Sequence, residues 1–355
     1  MEQTRARRYG TQHMVSSAEQ DANVAAGDVE SDPARPTRWR LPAWANIALR
    51  AAVTLALMAA ALRGIEWSKL ATLFGTIDWR WWAAGFAAGM VVNVVAAVRW
   101  ARLARPIGFA FPLGYFVWRF FEGQFFSLCL PTSIGGDVVK AYRLADSTHG
   151  RLLAACTVVA DRLTGLAALG VLAGATLLGR EWRLGPAGTA AIGTALLAVV
   201  LGVVWLGVGS LDRLLSLFPE PHAARTFIGR LLPYQMRPSL MARAVGWSML
   251  VQMGGAVSVA LVARALGVTL PLSVWFAVVP LVALAMVLPV SIGGVGIREG
   301  GLAFLLAPSG VAREQAVAIG LLWFLSTILA GLIGGLLFLL DRTPNHQPQA
   351  GEASG

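Results

Sequence analysis

Four sets of charged side chains interrupt the apolar runs of this sequence, and their types and spacing suit the binding of an anion. Arg119 and Glu122 stand three residues apart, the spacing of an ion pair on one helical face. Asp137, Lys140 and Arg143 recur at three-residue intervals, again on one face. Asp161-Arg162 are adjacent, so on a helix they diverge by about 100° and are expected to reach for other elements rather than for each other. Arg298-Glu299 are placed in the same way. A charge at membrane depth costs roughly 2.5–3.5 kcal/mol on insertion scales, so each set needs partners or a wet cavity. A guanidinium forks onto phosphate, which makes Arg162 and Arg298 the best candidate anion ligands.

Two of these sets follow a repeated break. The heptapeptide Leu130-Pro131-Thr132-Ser133-Ile134-Gly135-Gly136 recurs 158 residues later as Leu288-Pro289-Val290-Ser291-Ile292-Gly293-Gly294, identical at six of seven positions. Proline stops a helix, and Gly135-Gly136 or Gly293-Gly294 can take backbone angles closed to other residues. A helix restarted after the break presents free N–H groups and a positive dipole end, to which Ser133 or Ser291 adds a hydroxyl. Matched interruptions in two halves of a membrane protein point to a binding site between the halves.

The elements that position these groups are apolar helices. With 56% hydrophobic and 14% charged residues and a mean hydropathy of +0.64, the chain reads as an integral membrane protein. Trp81–Val98, Pro186–Gly209, Ala265–Ser291 and Gln315–Leu340 contain no Asp, Glu, Lys or Arg and meet the length of about 20 residues needed to cross a bilayer. The net charge of +10 sits in short segments flanking these runs, so it orients the spans and does not indicate nucleic acid. Contact with anionic lipid is a secondary role for it. Cys129 and Cys156 form no CxxC pattern, and His13, His149, His222 and His346 fall outside the spans, so neither a metal nor a cofactor is expected.

The arginines also give a topology. Arg35, Arg38 and Arg40 precede a first span, Leu41–Leu62, and place the N-terminus in the cytoplasm; Trp81–Val98 returns to a basic loop holding Arg99, Arg102 and Arg105. Phe109–Pro131 then runs into the first break, and the basic set after it stays inside only if this stretch is a re-entrant hairpin. Leu152–Gly179 goes out, Pro186–Gly209 comes back, Ala244–Ala263 goes out and Gln315–Leu340 comes in. The second break, within Pro271–Leu306, then enters from the opposite face.

The expected fold is therefore an all-α polytopic membrane protein of about six transmembrane helices plus two broken re-entrant helical hairpins, arranged as inverted repeats. Parallel repeats, or two full crossings at each motif, are the alternatives. Residues 1–40 and 343–355 read as disordered tails, the first cytoplasmic, flanking a membrane domain at 41–342 with halves of about 41–180 and 186–342. Gly85 with Gly89, and Gly331 with Gly335, have the GxxxG spacing that lets helices approach closely.

Taken together, these motifs resemble the lysylphosphatidylglycerol synthase transmembrane-region family, a flippase-type domain found alone or fused to lipid-modifying synthases. Arg99-Trp100 is similar to the family's basic-aromatic ending of the second span. Pro131-x-Ser133-x-Gly135-Gly136-Asp137 with Lys140, Asp161-Arg162-Leu163 with Gly165, and Pro289-x-Ser291-x-Gly293-Gly294-x-Gly296-x-Arg298-Glu299 resemble its three signatures. Lys140 departs from the pattern, which often has arginine there, and keeps the charge without the fork. No aminoacyl-transferase domain follows Arg342, so lysine transfer is not expected of this chain by itself.

The resemblance implies movement of an anionic-headed or polyprenyl-linked lipid between the leaflets of a bacterial-type cytoplasmic membrane, with both termini in the cytoplasm. The substrate-binding set would be Ser133, Gly135, Gly136, Asp137, Lys140, Asp161, Arg162, Ser291, Gly293, Gly294, Arg298 and Glu299, with Arg119, Glu122 and Arg143 as secondary candidates. Alternatives are a membrane transferase using Asp137, Asp161 or Glu299 as bases, or a partner of a separately encoded lipid-modifying synthase or glycosyltransferase.

Overall fold

Two successive sets of four helices share one pattern of lengths. In the structure, a computed structural model, residues 43–130, 135–145, 150–178, 223–288 and 290–341 are described. The chain from Ile47 onward packs as one unit, and Ala43–Asn46 belong to a separate N-terminal one. Among the described residues every regular element is helical. The two tails, the expected span Pro186–Gly209 and Pro131–Ile134, which includes Ser133, lie outside the described residues.

Helix α1 (Ala43–Leu62) is followed by α2 (Trp67–Gly75), which leaves it at an angle of 87°. Next come α3 (Trp79–Ala104), α4 (Leu113–Cys129), α5 (Gly135–Leu144) and α6 (Arg151–Leu178). Two short helices, α7 (Ala223–Gly229) and α8 (Leu232–Gln235), lead into α9 (Pro238–Arg264), α10 (Leu272–Val287), α11 (Ile297–Leu306) and α12 (Arg313–Leu340). Helices α3 to α6 have 26, 17, 10 and 28 residues, and α9 to α12 have 27, 16, 10 and 28. Local signals repeat too. Pro112 and Pro271 stand immediately before α4 and α10, where a missing N–H costs nothing.

The four longest helices, α3, α6, α9 and α12, are long and apolar enough to cross a membrane, and the bent pair α1–α2 would make a fifth span. Neither helix of either hairpin qualifies. With ten residues each, α5 and α11 are roughly 15 Å long, half of a ~30 Å hydrocarbon core. The apolar run Ala265–Ser291 is not one helix: Gly267, at φ 76, and Pro271 divide it, and regular structure starts at Leu272.

The packing pattern also repeats. α3 lies against α9, its counterpart, while α4 packs on α12 and α10 packs on α6. The hairpin of each half thus rests on the last long helix of the other. Helices in lipid gain little from hydrophobic burial against each other, so close approach of small residues carries these contacts. Ser258 on α9 donates to the Gly85 carbonyl on α3 at 2.7 Å. On α12, Gly331, Gly334 and Gly335 face Leu128, Phe121 and Phe125 of α4, and a Cβ on Gly334 would run into the Phe121 carbonyl oxygen. Both GxxxG pairs read from the sequence stand at such crossings.

Gly334→Val is expected to force α12 off α4 and to cost about 1–3 kcal/mol, read as a lower Tm in detergent. Gly246→Ala, at an exposed position with no atom within 4 Å of the added carbon, should not lower the Tm.

Candidate functional site

One buried ion pair joins the two longest helices of the first half. Arg99, on α3, forks onto Asp161 of α6, with Nε–Oδ1 at 2.7 Å and Nη2–Oδ2 at 2.8 Å. Its remaining amino group donates to Ser248 Oγ of α9 at 2.9 Å. All three residues are buried. Gly165 lies beside the guanidinium, where an added Cβ would stand at an ordinary contact distance of 3.4 Å. Next to Arg99, the Trp100 indole donates to Thr157 Oγ1 at 3.0 Å. The basic pattern of the sequence assigns Arg99 to a loop with Arg102 and Arg105. In the structure α3 runs on to Ala104, and only Arg102 and Arg105 are exposed. Arg99 is a site residue that charge patterning alone misses; the pairing requirement of the buried Asp161 is the signal that finds it.

Asp161-Arg162 divide as their 100° offset requires. Arg162 turns to the first hairpin and forks onto Asp137 of α5, with Nε–Oδ2 at 2.8 Å and Nη2–Oδ1 at 3.0 Å. The two partners differ in access: the Arg162 side chain is 62% exposed, that of Asp137 11%. One turn further along α5, the buried Lys140 has its Nζ 3.6 Å from Asp137 Oδ1 and 4.1 Å from the Phe120 ring centroid. The hairpin closes tightly because Gly123 on α4 and Gly136 on α5 leave no side chain between them: a Cβ on Gly123 would stand 2.6 Å from Lys140 Cε. Gly135 and Gly136, both buried, are the first residues of α5.

The second hairpin is arranged differently. Arg298 and Glu299 bind each other, with Nη2–Oε1 at 2.8 Å and Nε–Oε1 at 3.0 Å, and their side chains are 2% and 0% exposed. The expectation that these neighbours reach for other elements is therefore overturned. The physical reason lies in the first turn of α11, where Glu299 folds back so that Oε2 accepts the Gly296 N–H at 2.7 Å, which carries Oε1 across to Arg298. Arg298 is further covered by Phe324, whose ring centroid is 4.6 Å from Cζ.

The break before α11 is a turn through Ile292–Gly294. Gly294, at φ 75, lies against Met286, and Gly296, at φ 84, lies where a Cβ would stand 2.6 Å from Leu57 of α1. Gly293 also has a positive φ, 62. Thr54 of α1 accepts the Ile292 N–H at 2.8 Å, and Ser291 Oγ is buried without a hydrogen-bond partner.

Arg119 and Glu122 pair at 2.8 Å, as their spacing predicts, and a residue not singled out in the sequence joins them. Asp341, just past α12, binds Arg119 at 2.5 Å and lies 3.8 Å from Arg143, whose Nε is 3.9 Å from Glu122. The Asp137, Lys140, Arg143 face is thus split, its first two members joining the Asp161-Arg162 network and its third this one.

Apolar helices long enough to cross a bilayer, with buried and mutually paired charges between them, define a multi-pass α-helical membrane protein. A profile of the lysylphosphatidylglycerol synthase TM region matches residues 47–335, and the chain belongs to that family. It is accordingly a membrane protein concerned with the handling of lipids. No curated protein matches the sequence.

Removing one partner of a buried ion pair leaves the other charge uncompensated. Arg99→Met or Asp161→Leu alone is expected to cost about 3–5 kcal/mol, and the double variant clearly less than the sum. Unfolding of the four proteins in mixed micelles gives the coupling, and additive losses would sink the assignment.

Proposed function

We propose that this protein moves an anionic-headed or polyprenyl-linked lipid between leaflets. One observation carries the reading: Arg162 holds a carboxylate in a bidentate fork while most of its side chain stays exposed. A lipid phosphate presents the same planar pair of oxygens and can take the place of Asp137. Asp137 then remains beside Lys140, so the exchange strands neither partner. The family and the candidate spans support a lipid substrate reached from within the bilayer.

In this reading the halves are inverted, each contributing three crossings and one re-entrant hairpin, and alternating access comes from rocking of one half against the other. The repeat of helix lengths and the exchange of hairpins between halves favour it. Both termini lie in the cytoplasm and the membrane is the bacterial-type cytoplasmic one, as the arginine distribution suggests. The twelve substrate-binding residues named from the sequence do not contribute alike: Arg162, Asp137 and Lys140 meet the head group, Asp161 holds the bundle through Arg99, and Arg298 and Glu299 serve the second hairpin. A separately encoded synthase or glycosyltransferase supplies the lipid.

Proteoliposomes carrying an acyl-labelled lipid test this directly. Wild type is expected to expose inner-leaflet label to an external quencher faster than empty vesicles do, and Arg162→Gln to lower that rate by about tenfold or more, the loss of roughly one charge-assisted bidentate contact. Wild-type exchange no faster than in empty vesicles, for every anionic lipid offered, would rule translocation out.

A further inference from the structure

Among the described residues, the charges around the first hairpin do not balance. Three basic side chains, Arg99, Lys140 and Arg162, face two carboxylates, Asp137 and Asp161. The second hairpin does balance, Arg298 having Glu299. The surplus can be assigned to one residue. Arg99 takes both oxygens of Asp161 and Arg162 both oxygens of Asp137. Lys140 is left at 3.6 Å from Asp137 Oδ1, an oxygen Arg162 already holds, and against the face of Phe120, which carries no net charge. The residue is 8% exposed, so bulk water compensates it poorly.

We propose that Lys140 is the specificity-determining residue of the lipid site, and that this surplus positive charge selects a head group with one net negative charge, a phosphodiester without a cation of its own. The inference rests on the translocation reading and names its substrate class. A monoanion at Arg162 and Lys140 brings the network to neutrality. A phosphate monoester or diphosphate overshoots it, and a zwitterionic head group brings its own cation and leaves the surplus standing. In a low-dielectric site each residual charge is costly, so the count of charges discriminates where shape does not.

The test uses the full chain in phosphatidylcholine vesicles with trace acyl-labelled phosphatidylglycerol, phosphatidic acid in its dianionic form, or phosphatidylcholine. Bound lipid is read in parallel by native mass spectrometry from an equal mixture of the three. Wild type should favour phosphatidylglycerol by about tenfold over both others, the effect of roughly one uncompensated charge in a partly screened site. Lys140→Met should abolish the preference and Lys140→Arg retain it. Asp137→Asn, which adds a second surplus charge, should turn the preference toward phosphatidic acid. Water-soluble glycerophosphoglycerol should compete better than inorganic phosphate, and equal competition by the two overturns the phosphodiester assignment.

An unchanged order of lipids in Lys140→Met overturns the inference while leaving translocation intact. If that variant is not recovered as a monodisperse protein, an unchanged order in Asp137→Asn does so alone. A wild type that moves no lipid, yet loses its bound-phosphatidylglycerol preference in Lys140→Met, overturns translocation and supports the charge selection.

Discussion

A charge that cannot reach water is costly unless another lies beside it, and, Lys140 apart, the buried guanidinium groups of the bundle meet that requirement. The Arg99 guanidinium shows how much follows from one group. Its fork on Asp161 ties α3 to α6, and its third bond, to Ser248, brings in α9. Helices of both halves therefore meet at a single side chain. Arg162 continues the chain of constraints, tying α6 to α5 through Asp137. The dipeptide Asp161-Arg162 is a junction because its two side chains leave the helix in different directions. Opposite charges one turn apart would have closed on each other, as Arg119 and Glu122 do.

Small residues make this arrangement geometrically possible. Gly123 with Gly136 let α5 lie close enough to α4 for Lys140 to reach Phe120 and Asp137 at once. Gly320 leaves room for Glu299 on the face of α12. The glycines of the motifs thus act partly as turn residues and partly as absences of side chain. Only the second role explains why charged neighbours can be packed without water.

Much of the fold was legible because composition and periodicity are local: the helical class, the spans around Trp81–Val98 and Gln315–Leu340 and the end of a helix at each motif follow from apolar runs and prolines. So did the direction of reach of Asp161 and Arg162, which needs only the helical angle. What could not be read was the identity of distant partners. Charge pattern alone does not separate Arg99 from Arg102, although Arg99-Trp100 has the family's span-ending pair; burial decides, and burial is tertiary. Asp341, at the end of the last span, drew no notice for the same reason. Arg298 and Glu299 failed differently. The angle between neighbours holds for Cβ directions, but a glutamate long enough to bend back onto the helix N-terminus brings its carboxylate across that angle.

That length difference separates the two hairpins. Asp137 is the third residue of α5 and Glu299 the third of α11, so each places a carboxylate at the start of a restarted helix. In the first hairpin the compensating guanidinium comes from α6, at its twelfth residue; the twelfth residue of α12 is Phe324, and the guanidinium comes from α11 itself. Helix α11 therefore carries its own neutralisation wherever it goes, and its displacement along α12 breaks no ion pair of Glu299. Helix α5 carries Asp137 and Lys140 together, and on parting from α6 leaves Arg162 without a carboxylate unless another anion takes the arginine. Two nearly identical heptapeptides thus end in one hairpin whose carboxylate and guanidinium share a helix and one whose guanidinium belongs to a neighbouring helix.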